Sequence, residues 1–180
     1  MSDVLLLARA FAFAAEHHSG QTRKGEASEP YVNHVADVAR RVAEATGGSD
    51  ARLVAAALLH DTVEDTRATE EDIRTAFGDD VADLVMEVTD DRTLPKDARK
   101  QAQVDHAPHL SDRAKRLKLA DKASNLTQIV ESPPADWPAA RKRDYADWAE
   151  AVLAGLRGVD AEMERTLEHA IARVRAEAQG

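Results

Sequence analysis

The sequence predicts an all-α protein, a compact multi-helix bundle. Apolar residues recur at three- and four-residue spacing along most of the chain, and β-branched alternation is scarce. Capping, proline and glycine signals also fall where the periodic segments start and stop. Helices are expected at about 3–18, 31–46, 50–64, 69–77, 79–88, 95–106, 112–131 and 138–175.

In the first segment Leu5, Ala8, Ala12 and Ala15 share one helical face. Val4 to Ala15 is apolar enough to resemble a signal peptide. It opens on Asp3 instead of a basic region and is interrupted by Arg9, so an amphipathic helix is the expectation. Ser19 to Pro30 is the longest stretch without a helical pattern. It holds Gly20, Arg23, Lys24 and Gly25, and polar loops of that length are often functional. Pro30 suits a helix start, Gly47-Gly48 a helix stop, and Thr69 with Asp72 a capping pair. Pro95 opens another helix, Ser132-Pro133-Pro134 closes one, and the end from Arg173 to Gly180 is expected to fray. No repeat or linker interrupts the pattern, so one domain over 1–180, with its core at about 3–175, is expected.

Hydrophobic residues make up 43% and charged residues 32%, an ordinary globular mixture. No run reaches the about 18 apolar residues of a membrane span, so a cytoplasmic protein without membrane partners is expected. A formal net charge of -9 argues against a general nucleic-acid binder, since phosphate backbones reward the opposite sign. It leaves room for a small phosphorylated substrate held by a local basic cluster. With no cysteine, any metal must be held by nitrogen and oxygen.

The most informative segment is Ala55-Ala56-Ala57-Leu58-Leu59-His60-Asp61-Thr62-Val63-Glu64-Asp65. An apolar helix ends in His-Asp and then Glu-Asp, and helical spacing places His60 above Glu64 and Asp61 above Asp65. That much potential charge at a buried helix end is costly unless a cation or a solvated cleft receives it. His60 and Asp61 point about 100° apart yet can converge on one ion between them. His34 stands on a helix with apolar Val35, Val38, Ala39 and Val42, and Asp121 interrupts the apolar Leu117-Lys118-Leu119-Ala120. Singly, each has a plain alternative. His60 could cap a helix, His34 could be a core histidine, and Asp121 could pair with Lys118 or Lys122. Together, histidine and carboxylate ligands with open positions suit Mn²⁺, Fe²⁺ or Zn²⁺ better than Ca²⁺. His17, His18, His106, His109 and His169 lack such a setting and are expected at the surface.

The order His, His-Asp, Asp on apolar helices resembles the HD superfamily. Arg23-Lys24, Pro30-Tyr31-Val32-Asn33-His34, Leu58 to Thr66, Glu87-Val88-Thr89-Asp90 and Lys118 to Lys122 resemble more narrowly the hydrolase domain of the RelA/SpoT superfamily. Thr93-Leu94-Pro95-Lys96, the stretch Trp137 to Tyr145 and the short length are most similar to the stand-alone small alarmone hydrolases. The similarity runs from about Leu6 to His169.

The resemblance implies an HD-domain bundle that removes the 3′-pyrophosphate of (p)ppGpp, leaving GDP or GTP, with one divalent ion, Mn²⁺. It implies His34, His60, Asp61 and Asp121 as metal ligands and Glu64 and Asp65 as the catalytic acidic pair. Arg23, Lys24 and Asn125 match substrate contacts, and Lys96, Trp137, Arg141 and Tyr145 match positions lining the nucleotide pocket. No synthetase domain follows in the sequence, so hydrolysis alone is expected.

Elementary chemistry asks for the same parts. A bound cation makes water nucleophilic at neutral pH, an acid or base must stand near that water, and cations must meet the developing charge. Arg23, Lys24, Lys96 and Lys122 are the candidate cations. Two departures touch the substrate side. The loop reads Gly25-Glu26-Ala27-Ser28-Glu29-Pro30 where relatives carry an Asp-Gly-Thr-Pro type of sequence, and Thr127 follows Leu126 where an arginine is common. The rival readings are another HD phosphohydrolase, such as an NADPH 2′-phosphatase or a nucleotide hydrolase, and a non-catalytic alarmone or metal sensor. The Glu64-Asp65 pair speaks against the sensor, which needs no proton-transfer groups beside its metal.

Overall fold

The computed structural model describes residues 1–179, which form two compact units. Helices dominate both units, and no strand occurs among the described residues.

The first unit comprises residues 1–21 and 30–92. It contains α1 (Asp3–His17), α2 (Val32–Ala45), α3 (Ala51–Leu59), the short α4 (Thr62–Asp65), α5 (Glu70–Phe77) and α6 (Asp79–Val88). Its centre is α3, whose residues from Leu53 to Leu59 are all buried. A helix apolar all round belongs in a core, and α1, α2 and α6 pack against it. α1 turns Leu6, Ala10 and Ala14 inward, and α2 turns Val35, Val38, Ala39 and Val42 inward. Each fully buried leucine contributes about 1.5–3 kcal/mol, so Leu53 and Leu59 anchor the unit. The capping pair before α5 is present in both directions, Thr69 Oγ1 accepting from the Asp72 amide and the Asp72 carboxylate from the Thr69 amide.

The expected helix over 50–64 is instead two pieces. α3 stops at Leu59 because side chains take over its final carbonyls. His60 Nδ1 lies 2.8 Å from Ala57 O, and Thr62 Oγ1 donates to Leu59 O at 2.6 Å. Glu64 and Asp65 therefore sit on a separate four-residue turn rather than one straight helical turn beyond His60.

The second unit comprises residues 22–29 and 93–180. Its described part holds α7 (Lys96–His106), a 3₁₀ turn (Ala107–His109), α8 (Asp112–Glu131), α9 (Ala139–Leu156) and α10 (Ala161–Glu177). α8 packs against α9 and α10 and buries Leu117, Leu119 and Leu126. α10 contributes Met163, Leu167, Ala170, Ile171 and Val174 at three- and four-residue spacing. The expected helix over 138–175 is broken at Gly158, whose φ of 94° suits a residue without Cβ. Asp160 then caps α10 by accepting from the amides of Glu162 and Met163. Residues 173–177, expected to fray, are helical, and Gly180 lies outside the described residues.

The segment 22–29 lies against the end of α8. Ala27 N donates to Ser132 Oγ at 3.0 Å and Glu26 N to Pro133 O at 3.3 Å. A Cβ on Gly25 would meet Ser132 O at 2.3 Å, so glycine is required there by backbone approach. Gly25→Ala should cost about 1–3 kcal/mol and loosen this loop. Faster tryptic cleavage after Arg23 and Lys24 than in the wild type, with helicity by circular dichroism kept, would report it.

Candidate active site and metal centre

Within the first unit His34, His60 and Asp61 converge. His34 and His60 are buried, with exposures of 1% and 4%. Their Nε2 atoms lie 3.5 Å and 3.1 Å from Asp61 Oδ2. Tyr31, at the start of α2, donates its hydroxyl to that same oxygen at 2.5 Å. As N-cap residue it makes no side-chain capping bond, so its polar group serves the site and not the helix end. Burial pushes the Asp61 carboxyl up, but the His60 and His34 rings beside it outweigh this and hold it well below the usual carboxylate range.

The donor chemistry suits a metal. A backbone carbonyl only accepts, so the short contact to Ala57 O places the hydrogen of neutral His60 on Nδ1. Its lone pair is then on Nε2, the nitrogen facing Asp61. Such a backbone-oriented imidazole, paired with a carboxylate, is the usual way a metal-ligating histidine is held. Two ring nitrogens and a carboxylate oxygen thus gather at one point, the nitrogen and oxygen donors that a divalent transition metal takes.

Glu64 and Asp65 stand on α4. The Glu64 carboxyl is pushed up from 4.5 to about 7, chiefly by burial and further by the charge of Asp90, while the Asp90 amide pulls the other way. That amide donates to Glu64 Oε2 at 3.2 Å. Asp65 is also raised, by burial and by Asp61, with Arg92 opposing. Arg92 donates to the Glu64 carbonyl at 2.7 Å and pairs with the Asp65 carboxylate. One acid near neutrality beside another tied to a guanidinium is an arrangement able to exchange protons.

The second unit groups other predicted residues. Asn125 Nδ2 donates to Asp121 Oδ1 at 2.6 Å, and Arg23 donates to Asn125 Oδ1 at 3.0 Å. The amide's orientation is fixed, since Asp121 accepts on one side and Arg23 donates on the other. Asp121 is buried on α8, with buried Lys122 Nζ 3.7 Å from its Oδ2. Arg141 lies over the Trp137 ring at 4.3 Å, and Trp137 meets Tyr145 at 5.6 Å. Lys24 and Lys96 are exposed.

A profile of the HD domain matches residues 10–160. Guanosine-3′,5′-bis(diphosphate) 3′-pyrophosphohydrolase MESH1 of Xenopus tropicalis is 48% identical over 168 residues, 93% of this chain and 94% of the relative. The chain belongs to the HD-domain family of small alarmone hydrolases. The human MESH1 protein is 45% identical over the same shares of both chains. A solved structure described as a metazoan orthologue of SpoT that hydrolyses ppGpp superposes with a TM-score of 0.90, at 40% identity, over 93% of this chain and 94% of that one. The bifunctional (p)ppGpp synthase/hydrolase SpoT of Escherichia coli is 36% identical over 71% of this chain, which spans 18% of that longer protein.

In each unit, residues beside the predicted ones escape sequence reasoning. Tyr31 lies inside the motif around His34, but nothing in the sequence separates a site hydroxyl from a packing ring. Arg92 and Asp90 reach α4 from a distant segment. Lys100 and Trp148 extend the aromatic cluster, Trp148 meeting Tyr145 at 5.2 Å and both Lys100 and Lys122 lying over its ring. His18, expected at the surface, is buried with 3% exposure. It follows directly on α1 as its C-cap, where chain reversal covers the ring.

The Glu64 shift has a sign that can be measured in chelator-treated protein. A carboxyl raised in the folded state favours folding in its neutral form, so that contribution is whole below 4.5 and lost as pH rises to about 7. Thermal melts of Glu64→Gln should gain on the wild type across that window and run parallel above it. A constant difference from pH 4 to 8 would contradict the shift.

Proposed function

We propose that this chain is a metal-dependent guanosine-3′,5′-bis(diphosphate) 3′-pyrophosphohydrolase whose metal, Mn²⁺, is held by His34, His60, Asp61 and Asp121. The observation that carries the reading is the His34–His60–Asp61 cluster followed at once by a neutral-range Glu64, in a chain similar over nearly its whole length to alarmone hydrolases. Asp121 is assigned as fourth ligand because it is buried, on an apolar helix, and matches the family's order of ligands.

The divalent ion supplies Lewis acidity, lowering the pKa of water so that it is nucleophilic near neutral pH. Glu64, titrating near 7, takes the proton of the attacking water as its oxygen bonds to the phosphorus on the ribose 3′ oxygen. The bond from phosphorus to that 3′ oxygen breaks, the 3′ oxygen takes up the proton that Glu64 accepted from the water, and pyrophosphate departs, leaving Glu64 ready for the next turnover. Asp65, tied to Arg92, keeps α4 in place and carries hydrogen bonds of the water. Arg23, Lys24 and Asn125 orient the nucleotide, Arg23 through a planar guanidinium able to stack on a base or meet phosphate. Lys96, Trp137, Arg141 and Tyr145 line the side that receives the guanosine, offering aromatic faces and cations to base and phosphates.

Manganese-loaded protein should convert ppGpp to GDP and pyrophosphate and leave GDP untouched. Orthophosphate from ppGpp, or NADPH dephosphorylation without ppGpp cleavage, would assign a different HD phosphohydrolase activity. Asp61→Ala and Asp121→Ala should each lose most bound metal and activity while remaining helical. Full metal content in either variant removes that residue from the ligand set.

Glu64→Gln and Asp65→Asn should keep metal and substrate yet slow turnover by about 10²–10⁴-fold, the usual loss for an acid–base group. Loss of metal with unchanged turnover per bound ion would instead make the residue a ligand. Arg23→Ala should raise the KM for ppGpp and leave metal content unchanged.

A further inference from the structure

His18 and Gln21 have no part in the chemistry above, yet the first unit ties them to α4. His18 Nδ1 lies 2.8 Å from Gln21 Oε1, and Gln21 Nε2 donates to the Asp65 carbonyl at 3.1 Å. Since that carbonyl only accepts, the Gln21 amide must turn its nitrogen to Asp65 and its oxygen to His18. The oxygen likewise only accepts, so His18 carries a hydrogen on Nδ1. A buried histidine, two hydrogen bonds removed from the acidic pair, is thereby fixed in one tautomer by the glutamine between them. Its Nε2 is buried without a hydrogen-bond partner among the described residues, so Nδ1 carries the ring's hydrogen bonding.

α4 needs such support. Four residues are too few for a helix to hold itself in water, and its last carbonyls have no helical donors. Arg92 serves the Glu64 carbonyl and Gln21 serves the Asp65 carbonyl. The His18 ring also packs 4.8 Å from the ring of Tyr31, the residue that donates to Asp61, and Tyr31 N donates to Gln21 O at 2.9 Å. One buried histidine thus stands behind both the carboxylate beside the histidine cluster and the turn carrying Glu64 and Asp65.

We propose that His18, acting through Gln21, is a positioning residue that fixes α4 and so aims Glu64 and Asp65. This rests on the reading of those two acids as the proton-transfer pair. A displacement of about 1 Å at reacting groups can cost about 10²-fold in rate. Disturbing the pair should therefore lower kcat and leave KM and metal content alone.

Gln21→Met removes both hydrogen bonds at similar volume. His18→Phe keeps a ring against Tyr31 without a donor, and His18→Asn keeps a donor near the place of Nδ1. In manganese-loaded protein, Gln21→Met and His18→Phe should lower kcat on ppGpp by about 10–10²-fold. KM and bound metal should stay within about twofold, and His18→Asn should recover most of the loss. The double variant should be no slower than Gln21→Met, because the two residues act as one unit. Nitrogen-15 spectra of metal-free protein should show the Nδ1–H tautomer for His18, and Gln21→Met should abolish that preference.

Wild-type kcat in Gln21→Met, equal losses in His18→Phe and His18→Asn, or loss of metal would overturn the proposal. Should His18→Phe fail to fold, half-buried Gln21 carries the kinetic test alone. Absence of ppGpp cleavage by the wild type would count against the substrate reading, and the tautomer measurement would still decide whether His18 holds Gln21.

Discussion

Asp61 is a carboxylate kept ionised where little water reaches it, and the architecture of the first unit follows from that requirement. An isolated buried charge costs several kcal/mol, so neighbours must answer it. Two imidazoles and a phenol do so, delivered by three short segments: the start of α2, its first turn, and the end of α3. Each of those segments gives up something locally. α2 begins without a side-chain cap, a loss of about 1 kcal/mol. α3 ends early, with His60 folded back on its own carbonyl. The apolar mass of α3 makes such concessions affordable.

The second unit uses a single helix differently. Asp121, Lys122 and Asn125 lie within about one turn of α8, so one element presents an acid, a cation and an amide while Leu117, Leu119 and Leu126 hold it in the core. A burdened helix of this kind has little room for neutral drift, because nearly every inward position is either packing or polar pairing. The loop bearing Arg23 is tied to the same helix end through Ser132, and the glycine at 25 is the residue that permits the approach.

Much of this was legible in the chain. Periodicity found the helices, the Thr69–Asp72 pair marked a real capping box, and apolar helices interrupted by His34, His60-Asp61 and Asp121 marked three buried residues, His34, His60 and Asp121, and the half-buried Asp61. The errors have physical causes. Spacing rules assume an unbroken helix, so they carried α3 through Thr62 and joined α9 to α10 across Gly158, where side-chain capping and a positive φ end them. His18 looked like a surface residue because its neighbours in sequence are polar. Its burial comes from Tyr31 and Gln21, which the chain brings over it after a reversal that no local pattern announces. Pairings such as Arg92 with Asp65 are equally silent, since they join segments whose spacing carries no period.

The aromatic cluster of the second unit also governs how the protein can be watched. The chain has two tryptophans, and both belong to this one cluster: Trp137 under Arg141, and Trp148 with Lys100 and Lys122 over its ring and its indole N–H on the Lys100 carbonyl. Tyr145 touches both. Ultraviolet emission from tryptophan therefore originates wholly in the second unit, from indoles whose brightness and colour depend on nearby cations. A fluorescence titration would register anything that shifts those cations, Lys122 beside Asp121 among them.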